Sequence, residues 1–223
     1  MMASILDHCP TLKNTLSLFS ENPEPFFRMG VRVLTRMMYR PHFIGFDNIP
    51  ETGAGLIIAN HVSYVDGMII QTGCKRPIRF VIDDYIYRQP GVHYFMSHNR
   101  AIPILPTRDS VSHALDEISE GLKAGDLICI FPEGQLTYTG SLGRFKPGIE
   151  YIIRRDMVPV YPVALKGLWG SIFSRKYLKA HFRFFPRSWR REVTAICGPA
   201  IAPETVNVNH LQETVLRLKY QIG

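Results

Sequence analysis

Two residues near position 60 have the types and spacing of a proton-transfer pair. His61 and Asp66 lie in the stretch GLIIANHVSYVDG, residues 55–67. Being five residues apart, they would point about 140° apart on a continuous helix and to opposite faces of a continuous strand. They can therefore meet only across a turn, where Asp66 would bind one imidazole nitrogen and leave the other to take a proton. The alternative is a loop histidine beside a helix-capping aspartate, a position that suits Asp well.

The neighbouring residues predict the elements that would position this pair. Residues 56–59, LIIA, form a short apolar run after a glycine, which is typical of a buried strand. Residues 68–70, MII, begin a predicted helix. A strand-to-helix turn would bring Asn60 and His61 to the end of the strand, with half of a catalytic triad and no nucleophile beside it.

A second stretch with chemical potential follows another predicted strand. The sequence LICIFPEGQLT, residues 127–137, contains an apolar strand that closes on Pro132, which cannot continue a central ladder. Gly134 allows a positive φ, so that backbone N–H groups can turn toward a bound anion. Arg144 and Lys146 follow in GSLGRFKPG and could reach the same place.

Together the two stretches resemble the glycerolipid acyltransferase family, whose signatures are N-H-x4-D and F-P-E-G-x-[ST]. Both occur in the family's order, about seventy residues apart, which makes chance agreement improbable. The resemblance implies that His61 is the general base on a glycerol hydroxyl and that Asp66 orients it. It further implies an acceptor site at the second motif, which comprises Glu133, Gly134, Thr137 and Lys146. The alternative for Glu133 is a solvated carboxylate in a loop.

An arginine that meets phosphate is expected in a further block of this family. The block usually has a glycine, apolar residues and then an arginine, whereas this chain reads NRAIPILPTRD. Either Arg100 or Arg108 could fill the role. Arg108 is favoured because it lies close to a predicted helix start, where a helix N-terminus also favours an anion.

The resemblance also implies the reaction and its participants. The acceptor would be a lysophospholipid, the donor acyl-CoA or acyl carrier protein, and neither a metal nor another cofactor is expected. The stretches YTGSLGRFKPG and GLWGSIFSR look most like the acyltransferase domain of bifunctional lysophosphatidylethanolamine acyltransferase and acyl-carrier-protein synthetase proteins. Two alternatives are a CoA-independent transacylase and a non-catalytic basic protein that binds lipid or nucleic acid. A base held by a carboxylate argues against the binding protein, and no helix-turn-helix, RNP or zinc pattern supports nucleic acid.

The charge of the chain predicts an anionic partner. Its 223 residues carry a formal net charge of +7 at pH 7. Residues 175–191 contain no acidic residue, so they could meet a membrane or an acidic acyl carrier protein. An amphipathic helix predicted at 26–39 is either a solvated face over a packed stripe or a membrane-surface helix. Its arginines recur every four residues, at Arg28, Arg32, Arg36 and Arg40.

The start of the chain, the apolar segments and the cysteines bear on location. No apolar run approaches the length of a membrane span, and the first residues lack a signal-peptide pattern. The four cysteines form no CxxC motif or Cys/His cluster, which fits a reducing compartment. We therefore expect a cytoplasmic protein, peripherally associated with the inner face of a membrane.

Strands and helices alternate along the chain, which predicts an α/β fold with a mixed β-sheet flanked by helices. We expect one domain over 1–223, with a small N-terminal helical part at 1–40 and a catalytic core at 41–223. The segment between the second and third strands looks irregular, and its two histidines are set aside as metal ligands because no third ligand is evident. The remaining predictions are strands at 79–82, 101–105, 158–164 and 192–197, helices at 4–20, from Asp109 or Ser110 to Gly125, and from an Asn209 cap onward.

Overall fold

The computed structural model describes residues 24–175 and 190–221. The predicted helix at 4–20 and most of the basic stretch at 175–191 lie outside these residues. The described residues extend from the predicted amphipathic helix to the last helix of the chain.

A mixed sheet lies at the centre of the described residues. Its spatial order is β1-β7-β6-β2-β5-β3-β4, and every neighbouring pair is parallel except β6 and β7. This confirms the predicted α/β class. The seven strands are β1 Tyr39–Ile44, β2 Gly55–Ala59, β3 Arg79–Asp83, β4 Ile102–Ile104, β5 Leu127–Ile130, β6 Val160–Lys166 and β7 Arg191–Cys197.

Helices cover both faces of this sheet. Strand β2 shows why its residues are apolar without alternation: Ile57 packs into the core on one face, and Leu56 and Ile58 pack into the core on the other. A central strand of a parallel sheet is buried on both faces, so every position must be apolar. The described helices are α1 Glu24–Met38, α2 Asp66–Gly73, α3 Asp84–Tyr87, α4 Pro90–His98, α5 Arg108–Lys123, α6 Gly148–Asp156 and α7 Val208–Gln221.

The segment between β3 and β4 is helical, so the prediction of an irregular segment is wrong. The carboxylate of Asp83 caps α3 by accepting a hydrogen bond from the backbone N–H of Tyr85 at 2.9 Å. Pro90 stands in the first turn of α4, where its missing N–H leaves no intrahelical bond unmade. The two helices have only four and nine residues, so neither is long enough to show a clear apolar period in the sequence.

Two predicted helix caps are also wrong, although the helices themselves are confirmed. Thr107 caps α5 in place of Asp109 or Ser110, and its hydroxyl accepts from the backbone N–H of Ser110 at 3.4 Å. The side chain of Asn207 caps α7, where Asn209 was predicted. In both cases the capping side chain lies two or three residues earlier than predicted, where the backbone turn into the helix begins.

Helix α1 agrees with the predicted span, but its arginines do not form one uniform row. Arg40 lies in β1, not on the helix. Arg28 and Arg32 donate hydrogen bonds to the backbone carbonyls of Lys75 and Cys74, at 2.8 and 2.9 Å. These carbonyls follow the C-terminus of α2, where a cation is favourable. Among the described residues, no helix combines the length and the hydrophobicity that a membrane crossing requires.

Candidate active site

The predicted pair forms at the carboxyl end of β2. The Nδ1 atom of His61 lies 2.9 Å from Oδ2 of Asp66. Asp66 is fully buried, whereas 23% of the His61 side chain is exposed. Nε2 of His61 has no hydrogen-bond partner in the described part of the chain, so it is the nitrogen that can exchange a proton with a bound molecule.

Asp66 is held by its own turn as well as by the imidazole. Its Oδ2 atom accepts hydrogen bonds from the backbone N–H groups of Val62 and Ser63, at 2.6 and 3.0 Å. Asp66 is also the first residue of α2, where the helix dipole favours a negative charge. The predicted turn is therefore present, and Asp66 both starts the helix and contacts the histidine ring.

Asn60 fixes the end of β2 that carries this pair. Its side-chain oxygen accepts from the backbone N–H of Leu165 at 2.7 Å, and its amide nitrogen donates to the carbonyl of the same residue at 3.0 Å. The side chain thus replaces a backbone partner where β2 ends beside β6. The prediction gave Asn60 no role, although a polar residue directly after an entirely apolar strand was a usable signal.

The second motif lies against the first. The ring of Phe131 stacks on the imidazole of His61 with 4.2 Å between ring centroids. Glu133 accepts the backbone N–H of His61 on Oε1 and that of Gly143 on Oε2, both at 2.7 Å. The backbone N–H of Thr137 donates to the carbonyl of His61 at 2.9 Å. The two motifs are therefore one structural unit around His61.

Burial sets the electrostatics of Glu133. Its side chain is largely enclosed, and burial raises the pKa of the carboxyl above its usual value, although the two backbone N–H donors act in the opposite direction. The solvated loop carboxylate considered from the sequence is thus excluded for this residue.

The loop that follows the second motif is ordered by polar contacts and by one glycine. Gly134 has the expected positive φ, 65°, and a Cβ added there would lie 2.5 Å from Nζ of Lys146. Thr137 donates through its hydroxyl to the carbonyl of Ser141 at 2.7 Å and accepts from the backbone N–H of Gly140 at 3.1 Å. The ammonium group of Lys146 therefore lies over the backbone at Gly134.

A groove of about 530 Å³ adjoins this loop. It is lined by residues of the loop and by Val208 at the start of α7, and His61 does not line it. Arg144 and Lys146 contribute the positive charge of its wall. The groove is therefore a separate space next to the histidine site, with a cationic side.

The two candidate arginines lie at opposite ends of the parallel strands. Arg100 precedes β4 and forms an ion pair with Asp126, which precedes β5. Arg108 follows β4 as the exposed first residue of α5, at the carboxyl edge that also carries His61. Only Arg108 therefore shares an edge with the histidine.

The other candidate reactive residues have structural surroundings. His93 packs edge-on against Tyr87, and Nδ1 of His98 lies 2.7 Å from the carbonyl of Tyr94. The described residues contain no cluster of three or more metal-ligating side chains. Burial raises the pKa of the Cys197 thiol to about 12, so it stays protonated and unreactive near neutral pH.

Comparisons with known proteins identify the family of the chain. Residues 40–166 match the family described as Acyltransferase. The chain is 26% identical over 209 residues to a probable 1-acyl-sn-glycerol-3-phosphate acyltransferase of Mycoplasma genitalium, an alignment that covers 88% of this chain and 76% of that protein.

A plant protein and a crystal structure extend the comparison. The chloroplast 1-acyl-sn-glycerol-3-phosphate acyltransferase of Brassica napus is 28% identical over 132 residues, which span 58% of this chain and 38% of the plant protein. The crystal structure of the 1-acyl-sn-glycerophosphate acyltransferase of Thermotoga maritima superposes with a TM-score of 0.71 at 20% identity, covering 91% of this chain and 82% of that one. The structural likeness shows the fold, and the family match covers both motifs. The chain therefore belongs to the glycerolipid acyltransferase family.

Proposed function

We propose that this acyltransferase moves a fatty acyl group from an acyl thioester to a hydroxyl of a lysophospholipid or of glycerol phosphate. The observation that carries the proposal is the geometry of His61, whose Nδ1 lies 2.9 Å from the buried Asp66 carboxylate and whose side chain is partly exposed. A histidine with one nitrogen held by a carboxylate is suited to take a proton at the other.

The reaction follows from that geometry. Nε2 of His61 removes the proton of the acceptor hydroxyl while its oxygen attacks the thioester carbonyl. Asp66 stabilises the imidazolium that forms. The tetrahedral intermediate then collapses, the carbon–sulfur bond breaks, and the imidazolium returns the proton to the thiolate. The new ester bond forms without a covalent enzyme intermediate or a cofactor beyond the thioester.

The acceptor phosphate is assigned to the cations at the carboxyl edge. Arg108 is the preferred partner because it is exposed at the first position of α5 and has no ion-pair partner among the described residues. Arg100 is disfavoured because Asp126 occupies it at the other edge. Lys146, near the backbone at Gly134, is a second candidate, and the acceptor site also includes Thr137.

Contact with a membrane is proposed through α1. Met29, Val33 and Met37 stand one helical turn apart, and each exposes more than half of its surface. Such an apolar row beside the exposed Arg36 suits the interface of an anionic bilayer. The protein would reach its lipid acceptor from the cytoplasmic face.

The test is an acyl-transfer assay on the purified protein. Labelled acyl-CoA and acyl carrier protein are each offered with lysophospholipids that differ in headgroup and with glycerol phosphate. Esterification of at least one acceptor, dependent on the thioester, is the expected result. Transfer from an intact phospholipid without any thioester would indicate the transacylase instead, and the absence of transfer from every donor would refute the proposal.

A further inference from the structure

The second motif contacts His61 on its ring and on both sides of its backbone. Glu133 accepts from the N–H of His61, and Thr137 donates to its carbonyl oxygen. Phe131 covers one face of the imidazole. A residue held at its N–H, its carbonyl and its ring has little freedom to shift, so three residues of this motif determine where the base lies.

The surroundings of Glu133 differ from those expected of a phosphate ligand. The side chain is 5% exposed, and each of its two oxygens accepts a backbone N–H at 2.7 Å. A carboxylate repels a phosphate, so its charge opposes a direct contact with an anionic acceptor. Its one bond to His61 and its other to Gly143 instead join the histidine turn to the loop after the second motif.

We propose that Glu133 is a positioning residue, which holds the His61 backbone and adds a second buried carboxylate near this residue. This inference rests on the proposed function only where it speaks of turnover. Asp66 acts on the ring directly, whereas Glu133 acts through the backbone and through its charge. A buried negative charge near His61 favours the imidazolium that forms when the acceptor proton is taken.

The matching variant is Glu133→Gln, which keeps the shape of the side chain. Its amide oxygen can accept one of the two N–H groups, but its amide nitrogen then faces the other donor and leaves that bond unmade. We expect kcat to fall by about 10- to 100-fold because a small misplacement of a catalytic group has an effect of that size. The acceptor KM should change less than about twofold. A higher acceptor KM with an unchanged kcat would overturn the positioning role.

A second readout needs no substrate. In protein labelled at its histidines, the ring resonances of His61 are identified by their loss in His61→Ala. In Glu133→Gln these resonances should shift, because the carboxylate that accepts the backbone N–H of His61 is replaced by an amide. Resonances identical to those of the parent would overturn the inference. This measurement remains valid even if the proposed acyl transfer is not observed.

A pair of glycine variants tests the same link while Glu133 itself is not replaced. A Cβ added at Gly143 would lie 2.5 Å from Oε2 of Glu133, whereas a Cβ at Gly148 meets nothing within 4 Å. Gly143→Ala should therefore displace the carboxylate, shift the His61 resonances and lower kcat, while Gly148→Ala leaves all three unchanged. If Gly143→Ala folds and leaves the His61 resonances in place, Glu133 does not position the histidine.

Discussion

Arg100 and Arg108 flank the same short strand, β4. Arg100 therefore lies at the amino end of the parallel strands, and Arg108 lies at their carboxyl end. Arg100 is bound there to Asp126, and it has a positive φ of 49°. Arg108 begins α5 on the edge that carries the histidine. Because the two arginines have the same chemistry but different edges, they form a matched pair for testing the phosphate site.

Arg108→Ala should weaken acceptor binding and leave the chemical step nearly unchanged. Removing one charge-assisted hydrogen bond to phosphate costs about 1.5 to 3 kcal/mol, which corresponds to a rise in acceptor KM of about 10- to 150-fold. Arg100→Ala is the control, and it should lower stability through loss of the Asp126 ion pair without changing KM. The assignment is reversed if Arg100→Ala raises KM and Arg108→Ala does not.

His61→Ala should remove catalysis and keep the fold. General-base catalysis contributes about 10²- to 10⁴-fold, and kcat should fall by at least that much in a protein that still folds. Asp66→Asn keeps the shape of the side chain but loses the charge that stabilises the imidazolium, so it should lower kcat by up to about 10⁴-fold.

These two variants share a control on stability. The Asp66 carboxylate accepts hydrogen bonds from two backbone N–H groups. Loss of its charge in Asp66→Asn should weaken these bonds and lower the free energy of unfolding. Steady-state kinetics and thermal unfolding separate the two effects. A folded His61→Ala protein with full turnover would refute the base assignment, and an Asp66→Asn effect confined to KM would refute the orienting role.

The pH dependence of stability should carry a contribution from Glu133. Burial raises the pKa of this carboxyl above its unfolded value, so the folded protein binds the proton more tightly. That stability is fully present below the unfolded pKa, about 4.3, and is lost as the pH rises through the folded pKa. Glu133→Gln cannot titrate, so the free energy of unfolding of the parent minus that of the variant should decline as the pH rises above about 4.3. Urea unfolding between pH 4 and 7 measures this difference, and a rise with pH would contradict it.

The parts of the structure that depend on local sequence could be predicted. The apolar run of β2 indicates a buried strand, and the spacing of His61 and Asp66 requires a turn. Both inferences use residues that are close in the chain. The same is true of α5, whose buried residues Ala114, Ile118 and Leu122 recur at helical spacing.

The parts that depend on distant partners could not be predicted. The role of Asn60 depends on Leu165, and that of Glu133 depends on His61, in each case across strands of the sheet. The edge at which Arg108 lies follows from strand direction, which sequence pattern alone does not give. The arginine row of α1 was regular in sequence, but two of its members satisfy carbonyls after α2.

Those two arginines change what should be expected of α1 at a membrane. Arg32 donates to the carbonyl of Cys74 from a partly buried position, so its replacement by glutamate would place a negative charge beside the C-terminal end of α2. We expect Arg32→Glu to lower the free energy of unfolding by about 1 kcal/mol, which is a fall in melting temperature of about 2 to 4 °C. A loss of vesicle binding in Arg32→Glu could therefore come from lower stability or from a lost membrane contact, and this variant does not separate the two causes.

The cleaner test of the membrane face uses Met29→Gln with Met37→Gln, and separately Arg36→Glu. The two methionines are exposed, so they can be replaced with little effect on folding, whereas their loss removes apolar area from the proposed interface. We expect the methionine pair to weaken binding to neutral and anionic vesicles alike. Arg36→Glu should weaken binding to anionic vesicles only, by about 1 kcal/mol or more at low salt, and the effect should shrink as salt is added. Activity on detergent-dispersed monomeric acceptor should stay unchanged in all of them, since none of these residues is assigned to the chemistry. Vesicle sedimentation with lipids of both kinds gives the answer: if the methionine variant binds vesicles as tightly as the parent, α1 is not the membrane-contacting surface.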